Sequence, residues 1–211
     1  MSLTRILSKI EKELKEREVV KDELYGAMRK ATRLSKQATF SVHKGKMKEA
    51  KRLLTDAKGL FGKLDTVSKT HQELANAGIV DSAFQEYSEA HIFLELVENG
   101  KFVGAEEISV PSTSYVLGLA DVVGELRRRA LDFLRNGNVQ SARKSLETME
   151  IIIDELMSMD EALRAVSELR RKSDVARRII EATRGDVTIE VRRSSLERSI
   201  KQLEKAIRSR K

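Results

Sequence analysis

The sequence contains no cysteine, only one proline and few aromatic residues (4%). Without cysteine, the chain has neither a disulfide framework nor a thiolate metal site. The scarcity of proline and aromatic residues argues against a β-sheet protein, which uses turn residues and aromatics far more often. Charged residues make up 35% of the chain, as is typical of long helices. We therefore predict an all-α fold.

Long apolar runs are also absent. No run approaches the roughly 18 residues that span a bilayer, so we expect no membrane-spanning segment. The opening MSLTRILSKIEKEL is amphipathic with interspersed acids and lacks the apolar core of a signal peptide, so we expect a cytoplasmic protein. Neither a linker nor an internal repeat divides the sequence, and we predict a single helical domain over residues 1–211.

The net charge of +7 is unevenly distributed. Residues 1–50 contain 13 Lys/Arg and 7 Asp/Glu, residues 161–211 contain 15 and 8, and residues 51–160 contain 12 and 18. Basic ends favour a nucleic-acid partner, because Lys/Arg clusters supply salt-sensitive affinity for phosphates. Helices rich in Lys, Arg and Glu are usually just solvated surfaces, so the charge pattern alone does not establish a nucleic-acid partner.

The spacing of apolar residues predicts consecutive helices. They cover about residues 3–42, 47–77, 81–98, 112–135, 139–157 and 161–183, followed by a basic stretch over about 187–210. Gly45, Asn99-Gly100 and Asn136-Gly137-Asn138 are the predicted stops of three of these helices. Asp81 or Ser82 is the predicted N-cap of the third.

Four carboxylates differ from ordinary surface acids in their position on the predicted helices. Glu86 and Glu89 fall in the sector that otherwise carries the apolar residues of their helix. On the next helix, Asp121 and Glu125 occupy a face separate from the apolar stripe, beside Gly118, which lets another group approach the backbone closely. Consecutive helices joined by a short connection usually pack together, so we expect the two pairs to converge.

Such an acidic cluster requires compensation. Two carboxylates about 4 Å apart repel by roughly 4 kcal/mol at an effective dielectric constant near 20. A cation is one solution: oxygen ligands without His or Cys suit Mg²⁺ or Mn²⁺, which activate water for attack on a phosphodiester. A structural salt-bridge network with Arg127, Arg128 and Arg129 is the other solution and requires no catalysis.

Several segments together resemble one known family. The most specific are FQEYSEA at 84–90, SYVLGLADVVGELRRRAL at 114–131 and NGN at 136–138. RKATRLSKQATFSVHK at 29–44 and DVARRIIEATRGDVTIEVRR at 174–193 extend the similarity over nearly the whole chain. These segments resemble the TRAX branch of the translin/TRAX family, including its first and its closing helix.

The resemblance implies a seven-helix, translin-like bundle with long antiparallel helices. It assigns Glu86, Glu89, Asp121 and Glu125 as the metal ligands and catalytic residues of a Mg²⁺-dependent endoribonuclease. Such an enzyme acts on single-stranded RNA or overhangs inside an oligomeric shell. The chain lacks the longer N-terminal region and the insertion of eukaryotic TRAX, so the resemblance points to an archaeal version that assembles with itself, with a homo-octamer expected.

The resemblance also suggests a role for the basic residues. Arg33, Lys36, His43, Lys44 and Arg128 are candidates for contacts with RNA. Because few aromatic residues are available for base stacking, we expect binding through the phosphate backbone, largely independent of sequence. Single-stranded DNA is a second ligand consistent with this mode of binding.

Two alternatives from other classes stay open. A non-catalytic translin-like protein that binds RNA or single-stranded DNA would use the acids only structurally. An all-α nucleotide pyrophosphohydrolase also holds Mg²⁺ on paired helices, but with Glu-x-x-Glu and a later Glu-x-x-Asp. Here the second pair has Asp first and a spacing of four. A ferritin-like di-iron site is disfavoured because its Glu-x-x-His pairs are absent.

Overall fold

The computed structural model describes residues 2–209, which form nine α-helices and no β-strand. The all-α fold class is therefore confirmed. Six of the helices are long and three have only four to six residues. In chain order they are α1 (Leu3–His43), α2 (Met47–Thr70), α3 (Gln72–Ala75), α4 (Gly78–Asn99), α5 (Ala105–Ile108), α6 (Ser112–Arg135), α7 (Val139–Ser158), α8 (Asp160–Ala165) and α9 (Ser167–Arg208).

The chain forms two compact units, Met1–Gly118 and Leu119–Lys211, and the limit between them falls inside α6. The prediction of one domain over residues 1–211 stays a prediction. None of the helices within residues 2–209 combines the length and the apolar composition that crossing a bilayer requires.

The first unit is built on the hairpin of α1 and α2. Gly45 has φ +71° between these two helices, a conformation that only glycine adopts readily, so the chain reverses there. The face of α1 that packs into the core follows a spacing of three and four residues. Its buried residues are Leu24, Ala27, Met28, Ala31, Ser35, Ala38, Ser41 and Val42. The rings of Phe61 in α2 and Phe84 in α4 stack with centroids 4.2 Å apart, which ties α4 to the hairpin.

The second unit is built on α7 and α9, which pack against each other. Asn138 caps α7 by accepting a hydrogen bond from the Ser141 backbone N–H at 3.0 Å. Arg184 of α9 donates to Glu150 of α7 at 2.6 Å, next to the buried contact. The buried residues of α9 are Leu169, Ser173, Ala176, Ile180, Thr183 and Val187.

Several predicted helix limits are wrong. The helix predicted over 47–77 ends at Thr70 and is followed by the short α3, and the helix predicted over 161–183 is interrupted at Val166, between α8 and α9. The third predicted helix begins at Gly78, ahead of Asp81 and Ser82, and the Ser82 hydroxyl donates to the Gly78 carbonyl at 2.8 Å inside the first turn. The helix predicted to end at Thr183 does not end there. It belongs to α9, which continues through Gly185 to Arg208 and is 42 residues long in total. Burial of Thr183 and Val187 on either side holds this glycine in helical conformation.

Candidate functional site

Glu86 and Glu89 lie one turn apart on α4, and both are half-buried. Lys36 of α1 neutralises Glu86, with its Nζ 3.1 Å from Oε1. The Lys36 side chain is 63% exposed, whereas that of Glu86 is 27% exposed. The carboxylate is thus the better-shielded member of this pair, and its counter-ion reaches it from solvent.

Gly118 brings the first turns of α6 directly onto the segment of α4 that carries these two acids. A Cβ built at Gly118 would lie 2.7 Å from the Gln85 carbonyl oxygen, 2.8 Å from Ser88 Cβ and 2.9 Å from the Glu89 backbone nitrogen. Any side chain at this position would therefore push the two helices apart. The close approach that the sequence predicts at Gly118 is confirmed, and the approaching group is the backbone of α4.

Asp121 and Glu125 lie one turn apart on α6 in the second unit and are half-buried. Lys172 of α9 donates to both carboxylate oxygens of Asp121, at 2.6 Å and 2.9 Å. The Lys172 side chain is only 15% exposed. A cavity of about 200 Å³ lies beside this ion pair, and its wall includes Asp121, Gly124, Arg171 and Lys172.

The three consecutive arginines of α6 have different surroundings. Arg127 donates to the Thr183 hydroxyl at 2.7 Å and pairs with Asp186 at 3.3 Å, so it fastens α6 to α9. Arg129 lies over the ring of Phe133 at 4.8 Å, and burial lowers its pKa. Arg128 is exposed. A salt-bridge network of these arginines with the four candidate acids stays a prediction.

The donor chemistry of the four acids fits Mg²⁺ or Mn²⁺. Within residues 2–209, no three His, Asp or Glu side chains are grouped so that they would hold a metal ion by themselves. Mg²⁺ does not need such a cage, since it is usually bound by one or two carboxylates together with water and substrate phosphates. Each helix offers two carboxylates one turn apart. Convergence of the two pairs stays a prediction.

The candidate RNA-binding residues differ in exposure. Arg33 and Lys36 on α1, Lys44 at the end of α1, and Arg128 on α6 are exposed. The Lys44 Nζ lies 4.3 Å from the centre of the Phe40 ring. His43 is half-buried, with its ring 4.8 Å from that of Phe93. The four cations are accessible to phosphates, whereas His43 packs against the core of the first unit.

The sequence interpretation did not single out Lys172, the residue that neutralises Asp121. In the run Arg170-Arg171-Lys172 the three cations look alike. Only the helical register offers a signal, because Lys172 is next to the buried Ser173 and three residues after the buried Leu169. A lysine on the edge of a buried stripe needs a partner, and a half-buried acid is the natural one.

Comparison with known proteins defines the class of this protein. The sequence model of the Translin family matches residues 19–183. The chain therefore belongs to the Translin family, which confirms the resemblance to translin and TRAX.

Relatives with a similar sequence or structure support this assignment. The uncharacterized protein MJ0175 of Methanocaldococcus jannaschii is 30% identical over 193 residues, which cover 90% of this chain and 85% of that protein. AfC3PO, solved in complex with duplex RNA, is 34% identical with a TM-score of 0.74, covering 87% of this chain and 95% of the other. Apo-NeC3PO has a TM-score of 0.78 over 90% of this chain and all (100%) of the other, and at 22% identity it supports the fold alone.

Proposed function

We propose that this protein binds RNA and cuts it in a Mg²⁺-dependent reaction, with Glu86, Glu89, Asp121 and Glu125 as the metal ligands. The proposal is carried by the membership of the chain in the Translin family together with the resemblance of residues 84–131 to TRAX, which assigns these four carboxylates. Their half-buried positions on α4 and α6 agree with a role beyond solubility. Mn²⁺ is expected to substitute for Mg²⁺.

A bound divalent ion would activate water and neutralise charge on the leaving oxygen of a phosphodiester. The side chains of the protein perform the remaining tasks. The four carboxylates hold the ion, and Arg128, exposed and three residues beyond Glu125 on α6, binds a phosphate of the RNA. Arg33, Lys36 and Lys44 in the first unit make further phosphate contacts, and the number of contacts makes the affinity depend strongly on salt.

RNA binding has support independent of catalysis. AfC3PO, 34% identical to this chain, was solved with duplex RNA. Substrates for the first assays are therefore a single strand, a blunt duplex and a duplex with an overhang. Cleavage of the single strand or the overhang is expected, and single-stranded DNA serves as a competing ligand.

We also propose that the protein assembles with itself, as a homo-octamer. The outer part of α9 carries an exposed apolar stripe with the spacing of a coiled coil, made of Ile189, Leu196, Ile200, Leu203 and Ile207. The outer part of α1 continues the register of its buried face with exposed Leu3, Leu7, Ile10 and Leu14. An apolar face of this length favours a helical partner over water. We expect Leu203→Glu to reduce the mass of the assembly measured by light scattering, and Lys205→Glu on the opposite face to leave it unchanged.

The catalytic assignment is tested with isosteric variants. Glu89→Gln and Asp121→Asn are expected to reduce Mg²⁺-dependent RNA cleavage by at least about 100-fold, because even partners outside the metal shell cost about 10- to 100-fold. Glu98→Gln on α4 and Asp132→Asn on α6 are matched controls. Both acids lie on the same helices as the candidate ligands and are also ion-paired, Glu98 with Lys51 and Asp132 with Arg135. Cleavage by Glu89→Gln at the rate of the wild type would refute the assigned site.

A non-catalytic role is the second candidate. One observation favours it: Glu86 and Asp121 are each already neutralised by a lysine. In that case the protein would bind RNA in the presence of EDTA as well as of Mg²⁺ and would leave every substrate intact. The pyrophosphohydrolase alternative gains no support from the family to which the chain belongs.

A further inference from the structure

The ion pair between Lys172 and Asp121 differs from the others around the candidate acids. Both carboxylate oxygens accept a hydrogen bond from the same ammonium group, at 2.6 Å and 2.9 Å. The lysine side chain is 15% exposed and that of Asp121 is 27% exposed. Lys36 makes a single contact with Glu86 from an exposed position. Lys172 is thus a half-buried counter-ion of Asp121, whereas Lys36 is an exposed one.

A buried ammonium group is stable only when it is paired, because loss of one partner leaves an uncompensated charge in a poorly solvated place. In this protein the pairing is mutual. Lys172 is the ammonium closest to the half-buried carboxylate of Asp121, and the cavity of about 200 Å³ beside this pair has room for a cation. The Lys172 ammonium is therefore a single positive charge bound to Asp121, a candidate ligand of a divalent cation.

A second acceptor for this lysine is already at hand. Glu168 lies one turn before Lys172 on α9, with its Oε1 4.0 Å from Nζ, and its side chain is 46% exposed. A lysine has a flexible stem and a compact charge, so it can move between two acceptors with little change elsewhere. Glu168 Oε1 already accepts a hydrogen bond from Arg171 at 3.1 Å, so an ammonium that leaves Asp121 would join Arg171 at this carboxylate and stay paired.

We propose that Lys172 is a positioning residue that holds Asp121 in the metal-free protein and competes with the divalent cation for it. This inference rests on the proposed function, because Asp121 must be a metal ligand. With a divalent cation held by Asp121, Lys172 would pair with Glu168 instead. The lysine thereby keeps the site folded without metal and sets a lower affinity for Mg²⁺ than the carboxylates alone would give.

The test is a direct measurement of metal affinity on the full chain without RNA. Mg²⁺ binding is followed by calorimetry and Mn²⁺ binding by electron paramagnetic resonance, for the wild type and for Lys172→Met. The Kd of the variant is expected to be lower by at least about tenfold, which corresponds to ~1.4 kcal/mol. Arg170→Met is the matched control, because it removes the same charge from a nearby exposed residue that does not line the cavity beside Asp121. A change below about threefold is expected for that control.

Thermal unfolding distinguishes competition from a purely structural role. In EDTA, Lys172→Met is expected to have a lower Tm than the wild type, and saturating Mg²⁺ is expected to narrow this difference, because the cation then replaces the lysine. A difference that stays constant at every Mg²⁺ concentration would overturn the proposal. If Lys172→Met does not fold, Lys172→Gln provides the same measurement with a smaller loss of packing and polar contact.

The outcomes separate this inference from the proposed function. Wild-type protein that binds Mg²⁺ or Mn²⁺, together with a variant of equal or weaker affinity, overturns the role of Lys172 and leaves the metal site standing. Wild-type protein that binds neither ion overturns both. Tighter binding by Lys172→Met, but not by Arg170→Met, supports the competition.

Discussion

Gly118 of α6 lies so close to Gln85 of α4 that a Cβ at Gly118 would lie 2.7 Å from the Gln85 carbonyl oxygen. The obstructing atom belongs to the backbone, so it cannot rotate away as the end of a side chain can. Glu86 and Glu89 follow immediately on α4. The size of residue 118 therefore controls how closely the start of α6 approaches one of the two carboxylate pairs.

Gly118→Ala is expected to destabilise the protein by about 1–3 kcal/mol, the usual effect of extra atoms in a closely packed contact. Chemical denaturation measures this change. We also expect weaker RNA cleavage at temperatures at which the variant is folded, because α4 shifts with its two acids.

Gly124→Ala is the control on the same helix. No atom lies within 4 Å of a Cβ built there, so only the helix propensity changes, and we expect stabilisation by about 0.5–1 kcal/mol. An equal effect of the two substitutions would show that the close contact at Gly118 does not matter.

Arg128→Gln is expected to weaken RNA binding and to reduce the slope of log affinity against log salt by about 1, as for the loss of one phosphate contact. Because Arg128 is exposed, the free energy of unfolding of the variant should stay within about 0.5 kcal/mol of that of the wild type. Fluorescence anisotropy at several salt concentrations measures the slope.

Arg127→Gln provides the contrasting variant. Arg127 is bonded to Thr183 and Asp186, so its loss should cost about 1–3 kcal/mol of stability. It should change the salt slope less than Arg128→Gln does. Identical slopes for the two variants would contradict the assignment of Arg128 to RNA.

The parts of the fold that the sequence predicted depend on local chemistry. The predicted stops at Gly45 and Gly100 are confirmed, because both glycines have positive φ at helix ends, +71° and +66°. Gly185 is a typical helix-ending residue and Ser82 a typical N-cap, yet both lie inside helices. Burial of neighbouring residues outweighs these weak local preferences. Sequence alone does not show which glycine the core will hold in a helix.

The candidate site likewise has residues that a local pattern predicts and a partner that only the tertiary structure reveals. Glu86, Glu89, Asp121 and Glu125 were predicted from helical spacing and from the family resemblance. The partner of Asp121 could not be predicted, because Lys172 is 51 residues away and its pairing depends on how α6 and α9 pack. Counter-ions of buried acids are a property of tertiary structure, whereas the acids themselves follow a local pattern.

Gly185→Ala tests the continuity of α9. The position is exposed in the interior of a helix, and nothing lies within 4 Å of a Cβ built there. We expect stabilisation by about 1 kcal/mol, measured by urea denaturation. At Gly45, where φ is +71°, alanine should instead destabilise by about 1–2 kcal/mol. Destabilisation by Gly185→Ala would indicate that α9 is broken at that residue.

His91 on α4 should make stability depend on pH. Its Nδ1 is buried and has no hydrogen-bond partner among residues 2–209. Burial lowers the pKa of His91, an effect that nearby Glu95 partly opposes and Lys58 reinforces. The folded protein therefore binds a proton at His91 less readily than the unfolded chain, whose histidine pKa is about 6.5.

The sign of the effect follows from proton linkage. Between the lowered pKa of folded His91 and about 6.5, the unfolded state binds more protons, so stability falls as the pH falls through this window. His91→Leu removes this contribution and also the unpaired Nδ1. Urea denaturation at about pH 7.5 and pH 5.5 should therefore show a smaller loss of stability in the variant than in the wild type. Equal losses in the two proteins would show that another group accounts for the acid sensitivity.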